Sequence, residues 1–576
     1  MIPVIRLDPS SLSLWYNPEL INQVPYKEEI ALSVHYAMLG DVPALREHIS
    51  GIADERVKVK CIHLASSVWY EQRHFLDLIL TNYGALRLRQ FLILYVNIPT
   101  LVTAAKEADG KLACPIDLYQ DSLRRKMLGV SSIDPLATVG GESRKRKIFL
   151  QEDRQLLPTF AGKMECGGEA QLEALAYYTQ HSCIQFLFGN EMSVKVQQEL
   201  TDEQKKSLKY TWAQIVANTF GLLPARSEGA TTGSVDVSFL LPIIYGSLMS
   251  RAWGQAQVKN EKGATDFPLT RLAGLLNALR GKFKAFGEIS IEDAWEVVNA
   301  TAKQLWGRTI LEELDEDYKR EGEWCDQIRE LETVNDTVMI ALTDFHNLRG
   351  QLITLLKNSP TMIFHPYLPI LSGTILPMPV LTAPGGEFGE TPEGWDRVFG
   401  YQEPDQPKIK WWWAAIPARW PIENDQIYTL KEISSWGRII SYYAPLAKMM
   451  MNGRKHRTIL GPELITIEKI LKAQLDLDLL LDPHFLWPNE TDEINAYYTL
   501  SDKTEAVCDM CRAHLEKPHG HFLSPWVFRY SLKNAQLAIE TYGGGDGGYL
   551  TFVKDWSPWL LCDTCYGKVS AGMQAA

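Results

Sequence analysis

CIHLASSVWYEQRHFLDLIL, residues 61–80, is the stretch on which the reading of the fold turns. Its apolar residues recur at helical spacing, and the run is long enough for about five turns. Upstream the same spacing is set by Ala31, Val34, Ala37 and Met38, and downstream it continues to about Ala105. Residues 1–130 are therefore expected to form an N-terminal helical region.

Working outward, residues 131–155 carry Pro135, Gly140, Gly141 and the basic run Arg144, Lys145, Arg146 and Lys147, the signature of a loop or linker. Helical spacing returns in a central region, 156–357. The clearest helix there is 168–188, with Glu169 near its start and Gly189 just past its end, where a C-cap glycine belongs. Further helices are expected over 202–219, 267–282, 291–304 and 334–356, and Glu292 with Asp293 supply the acidic first turn that a helix dipole favours. At about Asn358 the composition changes. Residues 358–425 crowd prolines, glycines and aromatics together, including Trp411, Trp412 and Trp413, and predict an irregular layer pinned by its tryptophans. Core packing is the role expected of that tryptophan run, with a ligand groove or protein interface as the alternative. Helices are expected again within 426–500, over 429–451 and 462–481, before a C-terminal module at 501–576. The fold class is mainly α: a multi-domain helical body, an irregular Pro/Trp-rich layer, and a small C-terminal module with some β structure.

At 576 residues and 46% hydrophobic composition the chain exceeds what one core usually organises. A formal net charge of -12 disfavours non-specific adhesion to phosphate backbones or anionic membranes. The apolar stretches 91–105 and 370–383 are interrupted by Asn97 and Pro99, or by Gly373, Pro377 and Pro379, and are too short to span a bilayer. The first residues do not read as a signal peptide. Nine cysteines, two C-x-x-C pairs and five singles, suit a reducing compartment better than a disulfide framework, so a cytoplasmic location is expected.

The two pairs are Cys508-Asp-Met-Cys511 and Cys562-Asp-Thr-Cys565. A C-x-x-C turn supplies two thiolates from one tight knuckle, and two knuckles supply the tetrahedron that zinc prefers. The layout resembles the two-knuckle four-cysteine zinc ribbons, over the last eighth or so of the chain. That resemblance implies a structural zinc ion held by Cys508, Cys511, Cys562 and Cys565. His514, His519 and His521 lie close to the first knuckle and are expected at the surface.

A second constellation lies on the opening helix. In Tyr70-Glu-Gln-Arg-His74 the spacing of Glu71 and His74 is E-x-x-H. This resembles the H-E-x-x-H helix of zincins, with Tyr70 in place of the first histidine, and also the E-x-x-H of carboxylate-bridged helical metal bundles. The resemblance implies a metal site of Glu71, His74 and a carboxylate such as Glu173. The plainer reading is a satisfied polar contact at a helix interface.

The function expected from these features is that of a zinc-containing, non-catalytic scaffold or recognition subunit with a protein or nucleic-acid partner. The alternatives are a metal-dependent, degenerate hydrolase-like protein using Glu71 and His74, and a nucleic-acid-binding protein. For the last, Arg144, Lys145, Arg146, Lys147, Arg454, Lys455 and Arg457 are the candidate phosphate contacts.

Overall fold

The structure is a computed structural model. It describes residues 5–9, 12–16, 26–107, 110–114, 156–159, 162–198, 212–220, 240–250, 267–280, 290–330, 336–365, 376, 379–382, 443–444, 446–447, 472, 476–481, 507–515, 521–523 and 559–574. In chain order these form β1 (Ile5–Asp8), β2 (Ser13–Tyr16), α1 (Lys27–Leu39), α2 (Val42–Gly51), α3 (Glu55–Leu80), α4 (Asn82–Glu107) and β3 (Lys111–Cys114). Next come β4 (Leu156–Thr159), β5 (Gly162–Glu165), α5 (Gly168–Phe188), α6 (Asn190–Gln198), α7 (Trp212–Thr219), α8 (Leu240–Leu248) and α9 (Pro268–Leu279). The series ends with α10 (Ile291–Trp306), α11 (Ile310–Arg329), α12 (Asp336–Asn358), α13 (Pro360–Phe364), β6 (Val380–Thr382), β7 (Asp478–Leu481), β8 (His521–Leu523), β9 (Trp559–Leu561) and α14 (Asp563–Gln574). The described part is 79% helical, the mainly α class that the apolar spacing predicts.

Local chemistry sets many of the helix ends. Asp41, Asp54 and Ser290 each accept a backbone N–H of the first turn of α2, α3 and α10. Thr309 and Glu312 form a reciprocal capping box on α11. Gly307 closes α10 with φ +78°, a left-handed conformation that glycine takes without strain.

Contacts divide the chain into two units, Met1–Ile93 with Ala137–Arg438, and Leu94–Leu136 with Ile439–Ala576. In the first unit α3 is the central helix. It packs against α1, α5, α6, α12 and β1, which is why Cys61, Ile62, Ala65, Val68 and Phe75 are withdrawn from water on several sides of it. Each large apolar side chain buried in this way contributes ~1.5–3 kcal/mol. β1 pairs antiparallel with β2, and β2 pairs parallel with β6, Ser13 lying opposite Val380.

The same unit buries charge, and it does so in matched sets. Arg89 and Arg349 both donate to Asp317 and Glu321, with Arg89 Nε to Glu321 at 2.7 Å and Arg349 to Asp317 at 2.7 Å. Arg349 also donates to Asn82 Oδ1 at 2.7 Å, and Asn82 returns its amide to the Ser250 carbonyl at 2.9 Å. Arg73 donates to Asp77 at 2.9 Å, to the Ile363 carbonyl at 2.6 Å and to the Tyr245 hydroxyl at 2.6 Å. Arg271 pairs with Glu313 and lies 3.8 Å from the centre of the Trp306 ring. A buried ion costs several kcal/mol to desolvate, and such sets persist because each charge meets an opposite charge and further hydrogen bonds.

The second unit holds β3 and β7 in parallel register, Lys111 opposite Asp478 and Cys114 opposite Leu481. This corrects the end of the helix expected over 462–481, where Asp478–Leu481 form a strand instead. Asp476 takes φ +52°, which turns the chain out of helical geometry, and the apolar residues that follow are spent on a strand ladder. The same unit contains β8, β9 and α14, which help build a cluster of four cysteines. Among the described residues no helix is long and apolar enough to cross a membrane.

Candidate metal centre

The first knuckle is a tight turn closed on itself. Val507 and His514 form an isolated antiparallel bridge. Within it the Cys508 N–H donates to the Ala513 carbonyl, and the Arg512 N–H donates to the Cys508 carbonyl, each at 2.8 Å. Arg512 takes φ +64°, the left-handed turn that lets the chain double back over three residues. The second knuckle is a strand-to-helix corner. β9 delivers Cys562, α14 begins at Asp563, and Cys565 lies in its first turn, where the Tyr566 N–H donates to the Cys562 carbonyl at 2.9 Å.

Asp509 fastens the two knuckles to each other. Its N–H donates to the Leu560 carbonyl at 2.8 Å, and its Oδ2 accepts the Leu560 N–H at 2.8 Å. The Cys562 N–H points at Cys508 Sγ, 3.3 Å away, the amide-to-sulfur contact that stabilises a thiolate in a knuckle. β8 pairs antiparallel with β9, placing His521 opposite Leu561. Leu560, Leu561 and Val569 are buried behind the site.

Together these elements bring Cys508, Cys511, Cys562 and Cys565 into one cluster, their sulfurs all within 4.8 Å of one another. Cys511 Sγ and Cys562 Sγ are 3.7 Å apart. A tetrahedral ion with Zn–S bonds of about 2.3 Å sets its sulfurs about 3.8 Å apart, so the donor set fits a single soft or borderline divalent ion. The pair is not joined as a disulfide, which would need about 2.0 Å. Among the described residues this is the one group of three or more His, Cys, Asp or Glu ligand atoms gathered at such distances.

The thiols differ in their electrostatics. The Ala513 backbone N–H holds the Cys511 thiol down at about 7, against the penalty of burial. Burial pushes the Cys508 thiol up, and burial together with the neighbouring sulfurs pushes Cys565 up further. A metal ion that binds all four as thiolates must therefore displace protons from the raised thiols of Cys508 and Cys565.

The supports of the site were less visible in the sequence than its ligands. His521 Nε2 lies 2.7 Å from Asp563 Oδ1, and its ring stacks on Tyr566 at 4.3 Å. Asp509 and Asp563 follow the first cysteine of each knuckle, so the repeated C-D-x-C is the signal that could have found them. His514 is exposed, as expected, and His519 lies outside the described residues.

The helical constellation is divided between two contacts. His74 Nε2 lies 3.6 Å from Glu173 Oε1, the Tyr70 hydroxyl donates to Glu173, and the Tyr70 ring meets the His74 ring edge-on at 4.9 Å. Glu71 instead accepts the Leu7 N–H of β1 at 2.7 Å. The structure thus brings His74 and Glu173 together and engages Glu71 with the sheet. The single cysteines Cys61, Cys166, Cys183 and Cys325 are buried, and burial pushes their thiols up, to about 11 for Cys61 and about 12 for Cys166 and Cys325. Such thiols are poor nucleophiles. The basic residues Arg144–Lys147 and Arg454–Arg457 and the Trp411–Trp413 run lie outside the described residues.

No protein-family model, no curated protein and no solved structure matches the chain.

Proposed function

We propose that the protein is a zinc-stabilised, non-catalytic scaffold or recognition subunit whose C-terminal module is held by one zinc ion on Cys508, Cys511, Cys562 and Cys565. The observation that carries this is the gathering of four sulfurs from two distant knuckles within 4.8 Å. Four thiolates select zinc or iron, and sulfurs this close surround one ion rather than a cluster of several. A closed four-thiolate shell leaves no coordination position for water or substrate, which is the mark of a structural site. When bound, zinc supplies a crosslink between chain segments 51 positions apart. The residues then do the rest: Asp509 registers the knuckles, and the β8–β9 ladder and α14 form the platform around them.

Elemental analysis of the full chain tests the reading. One zinc per chain is expected in the wild type and in Glu71→Ala, and none in Cys508→Ser/Cys562→Ser. A wild type without metal would overturn the proposal. Metal that survives the cysteine substitutions and is lost in Glu71→Ala would move the site to the helical body. The recognition role is tested by affinity capture with both cysteine forms, each with and without nuclease. Partners retained by the wild type alone support the module as the binding element, and nuclease sensitivity identifies them as held through nucleic acid.

A further inference from the structure

The four sulfurs of the metal centre differ in access to solvent. Cys508 is 0% exposed and Cys565 5%, whereas Cys511 is exposed and Cys562 half-buried. Each knuckle therefore contributes one sheltered sulfur and one accessible one. The accessible sulfurs stand 3.7 Å apart, and must close by about 1.7 Å to form a disulfide of about 2.0 Å. Resting on the zinc reading above, we infer that Cys511 and Cys562 are a hydroperoxide-sensitive pair. Their oxidation expels the zinc ion and replaces the metal bridge between the knuckles with a disulfide.

The chemistry balances with a hydroperoxide as the only co-reactant. The Cys511 thiolate attacks one peroxide oxygen, the O–O bond breaks, and the products are a sulfenic acid and hydroxide. The Cys562 thiolate then attacks the Cys511 sulfur, forming the S–S bond and expelling the second hydroxide. Two protons from solvent turn both hydroxides into water. The two sulfurs lose two electrons, hydrogen peroxide gains them, and the zinc ion departs with its charge unchanged because two of its four ligands are gone.

Geometry favours this pair over a bridge within either knuckle. A Cys508–Cys511 or Cys562–Cys565 bond would need a buried sulfur as one partner. The reciprocal Asp509 and Leu560 hydrogen bonds, each 2.8 Å, tie the two knuckles directly, beside the metal bridge. They keep the accessible sulfurs near each other while the ion leaves. The four cysteines buried in the helical body are sheltered from the same oxidant.

The test uses the full zinc-loaded chain, with zinc content measured first. Hydrogen peroxide is then added, released zinc is followed with a chromogenic chelator, and disulfides are mapped by non-reducing peptide mass spectrometry. The expected result is one zinc released per chain in step with a Cys511–Cys562 linkage, both reversed by a dithiol and added zinc. Cys511→His, which keeps a zinc ligand and removes the accessible thiol, is expected to release zinc about tenfold more slowly. Zinc that stays bound, or leaves with a linkage inside one knuckle or with no disulfide, overturns the inference, as does wild-type release from Cys511→His. The wild-type disulfide map decides the matter even where that variant folds poorly. A chain with no zinc before peroxide overturns the zinc reading and this inference with it.

Discussion

Single side chains show where charge has been made to serve as core. Glu321 is 7% exposed and is held between Arg89 and Arg349, with His346 Nδ1 at 3.1 Å. Burial alone would raise its carboxyl, but Arg349, Arg89 and the His346 hydrogen bond outweigh burial and hold it well below the usual carboxylate range. A group whose folded pKa lies below its unfolded value of 4.5 contributes stability that is complete above that pH and is lost as pH falls through the folded value. Glu321→Ala leaves two buried guanidinium groups short of a partner, and is expected to cost ~3–5 kcal/mol at pH 7, read from the urea midpoint. The same titration at pH 3 should show a smaller gap, because the wild type has by then begun to lose what the variant never had. An unchanged gap would place the acid sensitivity elsewhere. In the metal centre, Cys508, Cys511, Cys562 and Cys565 were legible because C-x-x-C carries its geometry within four residues. The bond that Asp509 makes was not, because its partner Leu560 is 51 positions away and only the repeated C-D-x-C hints at a role for the aspartate.

At the level of elements, legibility followed how far a segment's own chemistry decides its ends. α5 spans Gly168–Phe188, the bounds expected from the sequence, because Gly189 closes it with φ +87°. α11 was missed although Thr309 and Glu312 spell a capping box before it. Its charges hid it: Asp317 and Glu321 face inward with Ile310, Leu314 and Ile328, where an apolar pattern alone would place no acid. The end of the 462–481 segment was misread for a different reason, since leucines that suit a helix also suit a strand and only Lys111–Cys114 decides between them. The corner between α3 and α4 shows how little room such junctions leave. A Cβ on Gly84 would sit against the backbone of Asp77 and Leu78. Gly84→Ala is therefore expected to destabilise by ~3 kcal/mol. Gly51→Ala, at the end of α2 with nothing within 4 Å of the added carbon, should melt like the wild type. Equal melting temperatures for both variants would show that the corner can relax.

Across the whole molecule, both units draw on segments far apart in the chain, and that is the part that composition and periodicity do not encode. Shifts in composition mark stretches of sequence, while two of the strand ladders, β2 with β6 and β3 with β7, join stretches that lie hundreds of residues apart. Metal removal gives a test at this scale. Chelation under reducing conditions should abolish hydrogen-exchange protection at the amides of Cys508, Asp509, Leu560 and Cys562, and leave the α3 amides unchanged. Persisting protection in the module would show that it holds without the ion. The ladder of β2 on β6 carries a consequence for biosynthesis. Val380 is made 380 - 13 = 367 residues after Ser13, its partner. At about 5–20 residues per second, β2 waits roughly 20–70 s on the ribosome with one edge unpaired. β1 covers its other edge from the start, so β2 passes through the long synthesis with the edge that β6 will take left bare, a place where two nascent copies can adhere.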